Sequence, residues 1–297
     1  MTGTRFLDPK VLARIGNLEL IARTVVDGFI SGLHHAPYLG LSTDFAEHRP
    51  YLPGDDIRRI DWRVWGRTDR LYVKEFEADT NANLVVLLDV SRSMDYGGGA
   101  VTKLDYAKYL AASLLHLSRR QRDRVGLVTF AADIVDYVPP SAKHLELALH
   151  TLDRATATGP GGLDAPLAKI VETVRRRSIL VLLSDLYDTP QAILRSLGAL
   201  RDRGHDLIVF HVLDPHEREF PFTEAASFED LETGERAPVI PEKMADEYRT
   251  LIREHCETLL KRLGQHRVDY YLADTGRALD FALLEFLTRR EWLARVR

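Results

Sequence analysis

The sequence predicts an α/β protein with a mostly parallel sheet. Short apolar runs alternate with stretches of helical spacing, which is the pattern of strand–helix–strand crossovers. Two of these runs, Leu84–Leu88 and Ile179–Leu183, are apolar throughout, as strands buried on both faces of a parallel sheet are. Both stop abruptly in polar residues: Asp89, Ser91 and Ser93 after the first, Ser184 and Asp185 after the second. Parallel sheets bind ligands beyond the carboxyl ends of their strands, so these residues are the first candidates for a site.

Taken in order, Asp8 to Ile30 has the spacing of one helix, with Val11, Leu12, Ile15, Leu18, Ile21, Val25 and Val26 apolar and Pro9 in the first turn. Leu33 to Arg70 holds Pro37, Pro50 and Pro53 among closely mixed charges and reads as a loop and hairpin, followed by a strand through Leu71, Val73 and Phe76. Its charges have the composition of a solvated, ion-paired face. A sharper reading makes it a docking surface in which Arg58, Arg59 and Asp61 surround Trp62 and Trp65, since Trp and Arg are common interface anchors. After the first buried strand, Gly97 to Gly99 is a turn. Thr102 and Asp105 then have capping-box spacing and open a helix to Arg119.

Val125–Phe130 is the next strand, and Ile134–Val138 is an edge strand expected to stop at Pro139 and Pro140. A short helix, Lys143–Leu152, leads to the glycine-rich loop Thr158–Pro166 and a helix over Ala165–Arg175. Thr189-Pro190 starts a helix to about Arg203, and Leu207–Leu213 is another strand. Beyond Asp214 the rhythm breaks. Ala226–Leu231 and Ala237–Ile240 flank Thr233-Gly234 as a hairpin insertion. A long helix, Glu242–Leu263, is expected to close at Gly264, and Val268–Ala273 and Ala278–Arg290 are the last strand and helix.

Composition narrows the classes. The chain has 297 residues, 45% hydrophobic and 28% charged, with a net charge of −4, which gives no global case for nucleic-acid binding. The acids interleaved with Arg58, Arg59, Arg63, Arg67 and Arg70 argue the same way. The single cysteine, Cys256, fits a reducing compartment and reads as a structural residue. Met1 to Phe29 has no continuous apolar core of the signal-peptide kind, and no apolar run approaches the ~20 residues that span a bilayer. The expectation is a cytoplasmic chain without a membrane span.

Asp89, Ser91 and Ser93 bring three small oxygen ligands into five residues, which suits a hard divalent cation such as Mg²⁺. Asp185 at the end of a second strand adds a carboxylate, and two carboxylates side by side repel unless a cation or proton lies between them. The plainer alternative is that Asp89 caps the following turn and Asp185 the next helix. Other chemistries lack their parts. Gly159–Gly162 is followed by no Gly-Lys-Ser/Thr, so there is no P-loop, and there is neither a Gly-x-Ser-x-Gly elbow nor a His-Glu-x-x-His.

Asp89-Val90-Ser91-Arg92-Ser93 resembles the Asp-x-Ser-x-Ser of the von Willebrand factor A domain and its metal-ion-dependent adhesion site. The segment around Pro53 to Trp62, read Pro-Gly-Asp-Asp-Ile-Arg-Arg-Ile-Asp-Trp, resembles the signature of the domain-of-unknown-function 58 family. The two resemblances cover about Leu33 to Ala273. They imply a von Willebrand factor A-like doubly wound sheet flanked by helices. Residues 1–82 would form an N-terminal helix and hairpin extension packed on the main domain, residues 83–297, which carries an insertion at about 215–241.

The resemblance makes Asp89, Ser91 and Ser93 metal ligands, with Asp185 near the metal. Such sites take a further Thr, but the matching stretch reads Gly161-Gly162-Leu163, and Leu163 has no ligand atom. Asp164 and Thr158 are the candidate substitutes, and Mg²⁺ or Mn²⁺ is expected to bind weakly or not at all. The resemblance further implies a non-enzymatic interaction module, acting with a MoxR-type AAA+ ATPase in chaperone-like maturation or stress response. A client protein's carboxylate would dock at the metal site. The alternative is a metal-dependent hydrolase using Asp89 and Asp185, for which the sequence names neither a water-activating base nor an oxyanion stabiliser.

Overall fold

A computed structural model describes residues 8–34, 48–51, 62–74 and 82–295. Two helices open the described chain, α1 (Pro9–Leu12) and α2 (Leu18–His34), where one was expected. The break falls at Gly16, whose φ of +66° is left-handed, and at Asn17, whose Oδ1 accepts the Leu20 N–H at 2.9 Å and starts the second helix. A two-stranded antiparallel ribbon follows, β1 (His48–Pro50) with β2 (Tyr72–Lys74), and between them lies α3 (Trp62–Thr68), which the sequence reading did not foresee. Arg58, Arg59 and Asp61 lie outside the described residues.

The body is β3 (Asn83–Asp89), α4 (Lys103–Arg120), β4 (Arg124–Phe130), β5 (Ile134–Ser141), α5 (Leu145–Arg154), α6 (Asp164–Thr173), β6 (Ile179–Ser184), α7 (Pro190–Asp202) and β7 (Asp206–Leu213). Then come α8 (Pro215–Glu219), the hairpin β8 (Ala226–Glu229) with β9 (Arg236–Val239), α9 (Pro241–Gln265), β10 (Asp269–Asp274) and α10 (Leu279–Arg295). The six-stranded sheet has the order β10-β7-β6-β3-β4-β5, parallel throughout except for β5. This is the von Willebrand factor A-like doubly wound arrangement. The chain leaves β3 toward β4 on one side and returns on the other at β6, so the topological switch point lies between β3 and β6.

The alternation of strand side chains makes both layers. Leu84, Val86 and Leu88 of β3 face a core shared with α2, α4, α5 and α10, while Val85 and Leu87 face one shared with α6, α7 and α9. Every residue of β3 is buried, which explains why that run has no polar alternation. The capping box at the start of α4 forms as its spacing predicts: Thr102 Oγ1 accepts the Asp105 N–H at 3.1 Å, and the Asp105 carboxylate accepts the Thr102 N–H at 3.3 Å. No helix among the described residues is long and apolar enough to cross a membrane.

Two strand and helix ends differ from expectation. β5 runs through Pro139 and Pro140 to Ser141, because it is an edge strand and tolerates missing N–H groups. α9 passes Gly264 and ends instead before Arg267, whose φ of +58° takes the left-handed position.

The β4–β5 pairing slips register between Val125 and Leu127, at Gly126. A Cβ there would lie 2.9 Å from the Val138 carbonyl oxygen and 2.9 Å from Pro140 N, both backbone. Gly126→Ala must therefore push the edge strand away, and we expect a loss of about 1–3 kcal/mol, read as a lower urea midpoint with an unchanged slope.

Candidate functional site

β3 and β6 lie side by side, with Leu88 paired to Leu183, so Asp89 and the Ser184-Asp185 pair emerge together at the carboxyl edge. Asp89 is buried and held at both oxygens. Ser184 Oγ donates to its Oδ2 at 2.6 Å, and the Ser91 N–H donates to its Oδ1 at 2.9 Å. Burial, and then the negative charge of Asp185, push the Asp89 carboxyl from 3.8 up to about 6, while the bonds from Ser184 and Ser91 pull the other way.

Asp185 is joined to a residue that the sequence reading missed. Lys103, the first residue of α4, is 1% exposed. Its Nζ donates to Asp185 Oδ2 at 2.8 Å and to Glu217 Oε1 at 2.6 Å. Burial works against the ammonium charge, but the two carboxylates outweigh it and hold the Lys103 pKa well above the usual lysine value. Burial raises the Glu217 carboxyl, with Lys103 opposing. The other oxygen of Glu217 accepts the Asp214 N–H at 2.9 Å, in the capping box that starts α8. Behind Asp185, the ring of His211 hydrogen-bonds its main chain and lies 2.7 Å from Tyr270 Oη through Nδ1. Burial drops His211 to about 3, so it is neutral there.

The hydroxyls of Ser91 and Ser93 are 3.1 Å apart. The loop of Thr158 to Gly161 is laced to theirs: the Thr158 N–H donates to the Val90 carbonyl at 2.7 Å, and the Arg92 N–H to the Gly159 carbonyl at 3.1 Å. A second unforeseen residue reaches in from the β8–β9 hairpin. The Glu232 carboxylate accepts the Ser93 N–H at Oε1, 3.2 Å, and the Gly161 N–H at Oε2. On the rim, Leu186 has a left-handed φ of +49° and is followed by Tyr187, 79% exposed.

Asp89, Ser91, Ser93 and Asp185 thus converge, and Thr158 lies against their loop. Asp164 does not join them. It is the first residue of α6 and turns to α7, where it accepts from Arg195 Nη2 at 2.6 Å and from Ser196 Oγ. Leu163 is buried against Val85 and Leu87. Of the proposed docking residues, Trp62 and Trp65 fall on α3, and Trp65 is 44% exposed.

These donors make a poor divalent-metal set. Asp185 is engaged by an ammonium, and Leu163 supplies core packing in place of a ligand. What remains is the Asp89 carboxylate and the Ser91 and Ser93 hydroxyls.

The family described as "Protein of unknown function DUF58" matches residues 47–258. The chain belongs to the DUF58 family. This DUF58 protein is 31% identical over 294 residues to uncharacterized protein Mb1516 of Mycobacterium bovis, covering 97% of this chain and 88% of that one. Uncharacterized protein MAV169 of Mycobacterium avium is 30% identical over 159 residues, 52% of this chain and 85% of its own length. Among solved structures, an aerotolerance-related membrane protein from Bacteroides fragilis aligns at a TM-score of 0.48 and 16% identity, over 70% of this chain and 99% of its own. The SpRpn10 VWA domain aligns at 0.42 and 11%, over 68% and 93%.

Two substitutions test the site's electrostatics. Lys103→Met leaves Asp185 and Glu217 buried without their counter-charge, and we expect a loss of about 3–5 kcal/mol in stability at neutral pH by denaturant unfolding. Asp89→Asn instead removes a buried charge. Because the folded-state pKa is raised, native Asp89 takes up its proton near 6 while the unfolded chain does so near 3.8, so its ionisation costs the fold stability at pH values above this window and not below it. The stability of the Asn variant relative to the parent should rise as pH is raised from about 4 to about 7, read by denaturant unfolding at each pH, on top of a pH-independent loss of the Ser184 hydroxyl bond. His211 pulls the parent's own acid profile the other way, since it stays neutral when the unfolded chain binds a proton. The difference between variant and parent is therefore the quantity to read.

Proposed function

We propose that this DUF58 protein is a non-enzymatic docking module whose contact surface is the carboxyl edge between β3 and β6, and that it works as an adaptor for a MoxR-type AAA+ ATPase. The observation that carries this reading is how the polar groups at the edge are engaged. Asp185 and Glu217 neutralise Lys103, and Asp89 is bonded by Ser184 and Ser91. A hydrolase needs a base free to activate water and a donor aimed at a developing oxyanion, and these pairings leave neither carboxylate in that role. What the edge offers instead is recognition chemistry: the Ser93 hydroxyl beside the buried Ser91, main-chain N–H groups at Ser93 and Gly161 that already hold the Glu232 carboxylate, and the exposed ring of Tyr187. A client's acidic side chain fits the N–H groups. The helix α3, with Trp65, is proposed as a second contact surface for the ATPase.

In this reading the Lys103 ammonium supplies the positive charge that a metal supplies elsewhere, and Mg²⁺ or Mn²⁺ binds weakly. Calorimetric titration of either ion should give dissociation constants no tighter than about 10⁻⁴ M. Tight, saturable binding abolished by Asp89→Ala would sink the ammonium reading.

The adaptor reading is tested by mixing the purified protein with a MoxR-type ATPase from the same organism. Sedimentation should show a complex, and the ATPase rate should change several-fold. Absence of a complex, or Asp89-dependent hydrolysis of an ester or phosphate by the protein alone, would overturn it.

A further inference from the structure

The hairpin insertion carries an acidic tip, with Glu229, Asp230, Glu232 and Glu235 around its turn. The tip is built to hold one of these carboxylates out. Asp230 Oδ1 accepts the Glu232 N–H at 2.7 Å and the Thr233 N–H at 3.2 Å. The Asp230 carbonyl accepts the Gly234 N–H at 2.7 Å, where a φ of +74° requires glycine for the reversal. The base of the hairpin is fixed separately. Phe228 packs on Phe220 with ring centroids 5.7 Å apart and on Phe222 at 5.1 Å, and Arg249 of α9 donates to the Glu219 and Phe220 carbonyls.

At the far end, Glu232 spans two loops of the site. One oxygen takes the Ser93 N–H and the other the Gly161 N–H. Gly161 is shaped to this approach, since a Cβ there would lie 3.0 Å from Glu232 Oε1 and 3.2 Å from Ser91 Cβ. A carboxylate facing two main-chain N–H groups is the geometry of anion recognition, and its hydrogen bonds are charge-assisted.

We propose that the Ser93 and Gly161 N–H groups form a carboxylate seat, that Glu232 occupies it from within the chain, and that an acidic side chain of a client must displace Glu232 to dock. The inference rests on the docking reading above and adds its regulation: the insertion is a built-in competitor. The fold makes exchange feasible, because the aromatic base and Arg249 hold the hairpin while its tip is held at the seat by one flexible side chain. A seat held shut about nine-tenths of the time weakens an incoming ligand about tenfold.

The test compares the parent chain with Glu232→Ala and with Glu232→Gln, which keeps the side-chain length and loses the charge. The first readout is amide hydrogen exchange at Ser93 and Gly161, which should quicken about tenfold in the Ala variant, with the Gln variant between. Unchanged exchange at both amides overturns the proposal, since Glu232 would then not be seated. The second readout is titration with a synthetic peptide of the chain's own tip, Phe228–Arg236, followed through the same two amide resonances. Binding at least about tenfold tighter to Glu232→Ala than to the parent supports the latch. Equal affinity for both overturns the latch and leaves the docking reading standing. An open seat in the variants that binds no peptide overturns both.

Discussion

The buried ammonium of Lys103 sits where α4, the end of β6 and the short helix α8 meet, and its two ion pairs join them. A lysine at the first position of a helix is placed against the helix dipole, which favours acids there. Burying the ammonium adds a desolvation penalty that only close, opposite charge offsets. Asp185 and Glu217 provide that charge, and the ring of Tyr96 lies 5.9 Å from Nζ. The arrangement fixes the position of α8 as well as that of Asp185. Because α8 leads directly into the aromatic residues under the hairpin, the same ammonium positions the root of the insertion.

Asp89 shows what that pairing leaves over. With Lys103 engaged by Asp185 and Glu217, Asp89 is held by hydrogen bonds alone, and burial and then the negative charge of Asp185 raise its proton affinity. An asparagine would fill the same volume and carry no buried charge, but its single oxygen could accept the Ser91 N–H or the Ser184 hydroxyl and not both. The two donors are the fold's reason for a carboxylate here, and burial sets its cost.

Much of this was legible in the sequence, because it rests on local or periodic signals. The unbroken apolar runs of β3 and β6, the capping boxes at Thr102 and the Thr189-Pro190 start of α7 are short-range patterns with one good physical solution each. The convergence of Asp89, Ser91, Ser93 and Asp185 followed from strand ends and topology. The break at Gly16-Asn17 was missed because apolar spacing continues on both sides of it, while backbone conformation at a single glycine decides it. The Asp214–Glu217 capping box was readable from its spacing, and Lys103 could have been flagged as a cation at the wrong end of a helix. That these two anomalies answer each other was not readable, since 114 residues separate Lys103 from Glu217.

Glu232 marks the limit of sequence reading more sharply. Nothing local distinguishes it from Glu229 or Glu235, and all three read as solvated acids in a hairpin turn. Its role comes from where the turn lands, 139 residues from Ser93 and 71 from Gly161. The glycine is the more telling partner. Gly161 lies in the glycine-rich loop that the sequence marks only as the stretch matching the metal-site loop, and at this position the missing Cβ makes room for a carboxylate from elsewhere in the chain. The same vacancy explains why Leu163 does not spoil the loop: its side chain turns inward to the core while the main chain two residues earlier presents an N–H outward. At this loop the side chain of Leu163 packs into the core while the backbone N–H of Gly161 donates to Glu232. The contribution of this stretch to the edge is therefore a main-chain donor, whose chemistry matches a carboxylate.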